Sequence, residues 1–307
     1  MSLIEVRNLY KKFRDIYVLT DLNFDVFEGE IFGILGPNGA GKTTILEILE
    51  GIIPKTKGSV SVLKLDPFKD KAVLHKNIGV QFQVSALQKK LKVKEIVELF
   101  SSFYLKYDFS LLEKLNLSSY LEYYYYSLSF GLKQKLAIFL SLLHDPKIVF
   151  LDEPSNGLDA KARRDLWNLI FELKKRRKTV IITTHYIEEA EQLCDRVAFF
   201  YKGKILAIDK PKELIAKEFL NKHILFETNK ELDLKLLSAI EGVRKVLFDG
   251  RFYKVYCKDL QYVSLKLFDL AFSNNFTITN FRFELGSLEE LFLKFVENKG
   301  FLKQGVE

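Results

Sequence analysis

Cysteine is almost absent from these 307 residues: there are two, Cys194 and Cys257. That excludes a disulfide-built scaffold and fits a reducing compartment. Long hydrophobic runs are missing too. The longest unbroken ones, such as Leu136 to Leu140, fall far short of the roughly 18 residues a membrane span needs. The opening Met1-Ser2-Leu3-Ile4-Glu5-Val6-Arg7 lacks the basic-then-apolar order of a secretory leader. No repeat of roughly 20–50 residues and no low-complexity tract is present. These absences predict a soluble, cytoplasmic chain that cannot cross a bilayer by itself.

What is present is ample apolar material, 48% of the sequence. The length gives a prior of about two domains, each able to bury a core without staples. Net charge is +7, from 47 basic and 40 acidic side chains. Residues 1–220 carry 34 basic and 28 acidic ones, so nearly the whole excess lies there. Ten lysines fall between 54 and 94, against Asp66 and Asp70. A second cluster, Lys174-Lys175-Arg176-Arg177-Lys178, reads as a solvated helix end, where cations favour the C-terminal dipole. A basic balance raises the prospect of a nucleic-acid or membrane-surface partner.

Residues 3–31 alternate apolar and polar side chains and predict half-buried strands. Glu30 to Leu35 predicts an apolar strand, and Thr43 to Glu50 a helix. From about 85 to 145 the pattern is mostly helical, with Val93, Ile96, Val97, Phe100 and Phe103 or Tyr104 on one face. The Tyr123–Tyr126 run is expected to pack at a helix junction. Ile148–Leu151, Thr179–Ile182 and Val197–Tyr201 are continuous apolar runs, which suggest a parallel sheet covered on both faces. Near 219 the rhythm changes to β-α-β-β-α-β, a ferredoxin-like order, followed by a helix from Ser287 to Val296.

Gly36-Pro37-Asn38-Gly39-Ala40-Gly41-Lys42-Thr43 matches G-x-x-x-x-G-K-[ST] between a predicted strand and a predicted helix. Its glycines let backbone N–H groups turn around a phosphate chain, and the helix N-terminus adds partial positive charge. Lys42 would bridge the β- and γ-phosphates, and Thr43 would ligate Mg²⁺. Ile148-Val149-Phe150-Leu151-Asp152-Glu153 is a buried strand ending in two carboxylates. Asp152 suits a hard cation, and Glu153 suits a general base acting on water. Ligands of open α/β sheets bind at the carboxyl ends of the strands, where both halves meet.

These motifs, with several others in order, resemble the nucleotide-binding subunit of ABC transporters over roughly residues 3–218. Leu128-Ser129-Phe130-Gly131-Leu132 is similar to the family signature, with Phe130 in place of its first glycine. Ser155-Asn156-Gly157-Leu158-Asp159 resembles the D-loop, and Thr183-Thr184-His185 the switch-histidine strand. Ile78-Gly79-Val80-Gln81-Phe82-Gln83 resembles the Q-loop. The resemblance implies an α/β P-loop NTPase of ABC type, with a mixed sheet core, an antiparallel β subdomain and a helical subdomain. It implies an ATPase domain at 1–218, and a smaller α+β domain occupies 219–307. Implied catalytic residues are Glu153, His185 and Gln83. Nucleotide contacts are Phe13 (with Tyr17 as alternative) and Gly36 through Thr44. Mg²⁺ falls to Thr43, Gln83 and Asp152. Ser129 and Gly131, expected far from their own phosphate loop, would close over a partner subunit's nucleotide, and Asp159 would link the two sites.

The resemblance further implies ATP and Mg²⁺ as ligands, a homodimer or paired ATPase subunit, and separate integral membrane permease subunits. The lysine-rich stretch spans the region that docks them. Gly286-Ser287-Leu288-Glu289-Glu290-Leu291-Phe292-Leu293 resembles the closing segment of ABC-2-type exporters, although Ser287 with Glu290 is also a plain capping box. Export from the cytoplasmic face of the membrane, with no direct nucleic-acid contact, is therefore expected. The alternative is a soluble ABC-type ATPase acting on nucleic acid or the ribosome, which the single cassette and the tail oppose.

Overall fold

The computed structural model describes residues 1–81, 87–104, 108–218, 223–284 and 288–298. The chain divides into two compact units, Met1–Pro211 and Lys212–Glu307. The expected boundary at 218/219 adjoins residues 219–222, which lie outside the described ones.

The first unit opens with β1 (Ser2–Phe13) and β2 (Ile16–Phe27), an antiparallel pair whose alternate residues are buried, as the sequence alternation predicts. β3 (Ile31–Leu35) follows, buried along its whole length. α1 (Lys42–Leu49) begins at Gly41, whose φ of 102° only glycine adopts without strain. β4 (Lys57–Val62) returns to pair with β1, giving a three-stranded sheet of order β2-β1-β4. α2 (Lys71–Leu74) and β5 (Ile78–Val80) lead into the helical region.

That region holds α3 (Val93–Ser101), α4 (Ser110–Lys114), two short 3-10 turns (Ser118–Tyr120 and Tyr125–Ser127) and α5 (Phe130–Leu142). Val93, Ile96 and Val97 are buried as their spacing predicts. Phe103 is exposed because α3 stops before it; Tyr104 packs instead, stacked on His144 at 4.2 Å. β6 (Ile148–Asp152), α6 (Ala160–Lys175), β7 (Thr179–Thr184), α7 (Ile187–Leu193), β8 (Arg196–Tyr201) and β9 (Lys204–Asp209) complete the core.

The central sheet has order β5-β6-β7-β3-β8-β9. Its first five strands are parallel and β9 is antiparallel, so the sheet is mixed. Register decides where chemistry can occur. Leu35 pairs with Thr184, and Asp152 with Thr183, so β3, β6 and β7 end on one edge. The loops that leave that edge carry Gly36, Glu153 and His185.

α8 (Pro211–Glu218) begins at the last residue of the first unit and runs into the second. Then come β10 (His223–Thr228), α9 (Leu234–Ser238), β11 (Val243–Phe248), β12 (Tyr253–Cys257), α10 (Leu260–Ser273), β13 (Ile278–Glu284) and α11 (Leu288–Asn298). The four strands form an antiparallel sheet of order β11-β12-β10-β13, which is the ferredoxin-like arrangement. Ile224, Phe226, Val255, Val263 and Leu267 centre its core. Gly286 and Ser287, the start of the exporter-like tail segment, lie outside the described residues. Among the described residues no helix is long and apolar enough to cross a membrane.

Candidate active site

The glycine-rich loop is fixed at its root, where the Gly36 N–H donates to the Thr184 carbonyl at 3.2 Å. Lys42, on the first turn of α1, is only 5% exposed. Its ammonium folds back to donate to the Gly36 and Pro37 carbonyls at 2.8 and 3.1 Å. It also lies 3.0 Å from Glu153 Oε1. A buried cation held this way is ready to exchange a carboxylate for a phosphate oxygen.

Thr43, one residue on, donates to Asp152 Oδ2 at 2.9 Å. The Thr183 hydroxyl donates to the other oxygen of Asp152 and accepts the Glu153 N–H at 3.0 Å. Thr183 therefore orients both carboxylates. Glu153 sits at φ 46°, a left-handed conformation that costs a non-glycine residue about 1 kcal/mol or more. A second bond from its N–H, to the Thr183 carbonyl at 3.1 Å, holds it there. Its Oε2 meets His185 Nδ1 at 3.1 Å. One carboxylate thus bridges Lys42 and His185. Behind it, burial pushes the Glu50 carboxyl up to about 8, and the charges of Asp152 and Glu47 add to the shift.

Thr43 and Asp152 are hard oxygen donors on facing elements, which fits a magnesium-type ion. Among the described residues no group of three or more histidine, cysteine or acidic side chains could cage a metal. Thr43 and Asp152 would hold such an ion, and its remaining ligands would have to come from a bound phosphate and water.

A cleft of about 940 Å³ opens over these residues. Asn38, Gly39, Gly41, Lys42, Thr43, Thr44, Asp152 and Glu153 line one side of it. Lys89, Tyr125, Tyr126, Phe130, Lys133 and Gln134 line another. Phe130, Lys133 and Gln134 of α5 thus share a cleft with the phosphate loop. Ser129 and Gly131 are not in its lining. Ser129 caps α5 by accepting from the Leu132 N–H at 3.3 Å, and Asp159 caps α6 by accepting from Ala162 at 2.8 Å.

Phe130 in place of glycine is accommodated by the D-loop. Its ring covers Gly157, which has φ 71° and where a Cβ would stand 2.9 Å from the ring. Gly131 has ordinary backbone and room for a Cβ, 3.5 Å from Leu158. The tyrosine run also differs from expectation. Tyr125 is buried at 2% exposure, while Tyr123, Tyr124 and Tyr126 are exposed, the last two stacked on each other. Neither Phe13 nor Tyr17 lines the cleft, and Val18 does; both rings are nearly half exposed, with the Lys11 ammonium 4.5 Å from the Phe13 ring. Gln83 lies outside the described residues.

Sequence reasoning missed Thr183 as the common support, and Gln81, Lys133 and Gln134 as cleft residues. Gln134 carried a signal: a glutamine inside the apolar face of a buried helix needs a partner, and it donates to the Pro154 carbonyl at 2.9 Å.

The ABC transporter sequence family matches residues 19–156. An uncharacterized ABC transporter ATP-binding protein of Methanocaldococcus jannaschii is 40% identical over 220 residues, covering 70% of this chain and 80% of that protein. The Nod factor export ATP-binding protein I of Rhizobium sp. strain N33 is 35% identical over 273 residues, 86% of this chain and 89% of that protein. The Escherichia coli protein named probable multidrug ABC transporter ATP-binding protein YbhF is 37% identical over 223 residues. That match spans 70% of this chain but only 38% of YbhF's length. Among solved structures, an ATP-binding subunit of an ABC transporter is 26% identical with TM-score 0.65, covering 71% of this chain and 93% of that one. A dimeric ATP-binding cassette in a post-hydrolysis state with ADP and phosphate is 28% identical with TM-score 0.60, covering 67% and 98%.

Proposed function

The chain belongs to the ABC transporter family of ATP-binding proteins, and on that premise we propose that it is the ATP-hydrolysing subunit of an exporter whose membrane-spanning subunits are separate chains. The observation that carries this reading is the convergence of Lys42, Thr43, Asp152, Glu153 and His185 on one strand edge. In it, residues 1–218 form the ATPase domain and 219–307 an accessory domain.

The loop 36–44 wraps the phosphates with backbone N–H groups, and Lys42 leaves Glu153 to bind the terminal phosphate. Thr43 and Asp152 would hold Mg²⁺, which would neutralise charge on the phosphate oxygens. Glu153, freed from Lys42, accepts a proton from the attacking water. His185 keeps the carboxylate oriented through its 3.1 Å contact and reaches toward the terminal phosphate. Gln83 would supply a further polar contact to the ion and water, and Phe13, which is not in the cleft lining, would stack on the base in the bound state. Ser129, Gly131 and Asp159 act across a dimer of two such chains, or of this chain and a similar one. Closure over two ATP molecules drives the membrane subunits from the cytoplasmic face, and hydrolysis reopens them.

The exporter assignment leans on the tail segment 286–293 and on the names of the relatives above. Co-purification of the full chain from its native membrane tests it. An integral membrane protein recovered in stoichiometric amount supports the reading. Recovery with RNA or ribosomes, and no membrane protein, overturns it in favour of a soluble nucleic-acid switch.

A further inference from the structure

Two buried polar side chains outside the reacting group tie its moving parts together. Gln134, on the signature helix α5, is buried and donates to the Pro154 carbonyl at the start of the D-loop. The next residue, Ser155, is fully buried, and its hydroxyl donates to the Glu189 carboxyl on α7. α7 begins two residues after His185. Glu189 is fully buried as well. Arg163 and Trp167 of α6 and Thr184 of β7 complete its surroundings. The Arg163 guanidinium also lies 4.9 Å from the Tyr186 ring, which packs 4.1 Å from His185. The signature turn reinforces the link through Phe130 on Gly157 and Gly131 beside Leu158.

Such an arrangement is costly if it only fills space. Glu189 is a fully buried carboxyl whose partners are Ser155, Thr184 and Trp167, with Arg163 nearby. A buried carboxyl left without such partners would cost about 1–3 kcal/mol, a demand an apolar side chain would not make. Burial also raises the Glu189 carboxyl above its ordinary range, although hydrogen bonds from Ser155, Thr184 and Trp167 and the charge of Arg163 oppose the shift.

We infer that Gln134 and Glu189 are positioning residues that clamp the D-loop between α5 and α7, so that the signature turn, the D-loop and the switch histidine move as one body. The inference rests on the proposed ATPase reading. Such a clamp would carry a change at the signature turn to His185, more than 50 residues further along the chain (185 − 131). Glu189 does not line the cleft, so its effect is on turnover and not on ATP affinity.

The test uses the full chain and the variants Glu189→Ala, Glu189→Gln, Gln134→Ala and the Gln134→Ala/Glu189→Ala double. Glu189→Ala is expected to lower kcat at least about tenfold, with the Kd of a fluorescent ATP analogue unchanged within about threefold. Glu189→Gln, which still accepts from Ser155, restores kcat to within about threefold of the parent. The double variant falls no further than Glu189→Ala, since both changes open one clamp. An unchanged kcat in Glu189→Ala, or losses that multiply in the double, overturns the inference. If Glu189→Ala does not fold, Ser155→Ala removes the same hydrogen bond and carries the same expectations. If the parent chain hydrolyses no ATP, the functional reading itself has failed. The clamp is then decided by hydrogen exchange. Amides of 155–159 exchanging about tenfold faster in Glu189→Ala, with 179–184 unchanged, support it; equal rates at 155–159 overturn it.

Discussion

Glu153→Gln separates binding from chemistry at this site. The substitution keeps the shape of the side chain but removes its charge and its basicity. A general base contributes about 10²–10⁴ in rate, so kcat should fall at least about a hundredfold, near 2.7 kcal/mol of barrier. Binding should move the other way. Glu153 holds Lys42 at 3.0 Å, and ATP must displace it. Glu153 is 22% exposed, so solvent screening reduces that pair to about 1 kcal/mol. Its loss predicts an ATP Kd equal to that of the parent or up to about fivefold tighter. Phosphate release under saturating ATP gives the first number, and titration with a fluorescent ATP analogue gives the second. A kcat within about threefold of the parent removes Glu153 from the base role. A Kd weakened more than about tenfold refutes the competition between carboxylate and phosphate for Lys42.

Glu50 predicts a pH effect on stability. Its folded carboxyl titrates near 8, above the ordinary value, so the folded state binds the proton more tightly and stability falls as pH rises from about 4.5 to 8. Glu50→Gln should flatten that slope in urea unfolding; an unchanged slope contradicts the protonated state. Tyr125→Ala should cost about 3–5 kcal/mol as a buried aromatic truncation, and Tyr124→Ala, on the surface, less than about 0.5. Equal losses in chemical denaturation would contradict the burial of one tyrosine in the run. Gly157→Ala should cost about 1–2 kcal/mol from its left-handed backbone and the clash with Phe130. Adding Phe130→Ala should recover the steric part, and no recovery would show that the ring does not cover the D-loop.

Contiguous motifs were legible because their chemistry is local. The eight residues 36–43 need only one strand and one helix to become a phosphate cradle, and the structure supplies both at the expected places. Alternation and periodicity also carried the β-α-β-β-α-β order of the second unit, since each element there has one buried face. Contacts between distant segments were not legible. Thr183 supports Asp152 across 31 residues, and Ser155 meets Glu189 across 34. Neither spacing has a sequence signature. Register between β6 and β7 creates the first, and the packing of α7 the second. The tyrosine run misled for a related reason. A 3-10 turn from Tyr125 to Ser127 points one ring inward and leaves its neighbours out, and no helical or strand period describes that.

The central claim is that Lys42 and its neighbours hydrolyse Mg·ATP. Phosphate release by the purified full chain, measured with Mg²⁺, with a chelator, and in Lys42→Ala, tests it most directly. The account predicts release that needs Mg²⁺ and falls at least about a hundredfold in Lys42→Ala. Release that persists unchanged in Lys42→Ala, or in the presence of the chelator, would contradict it.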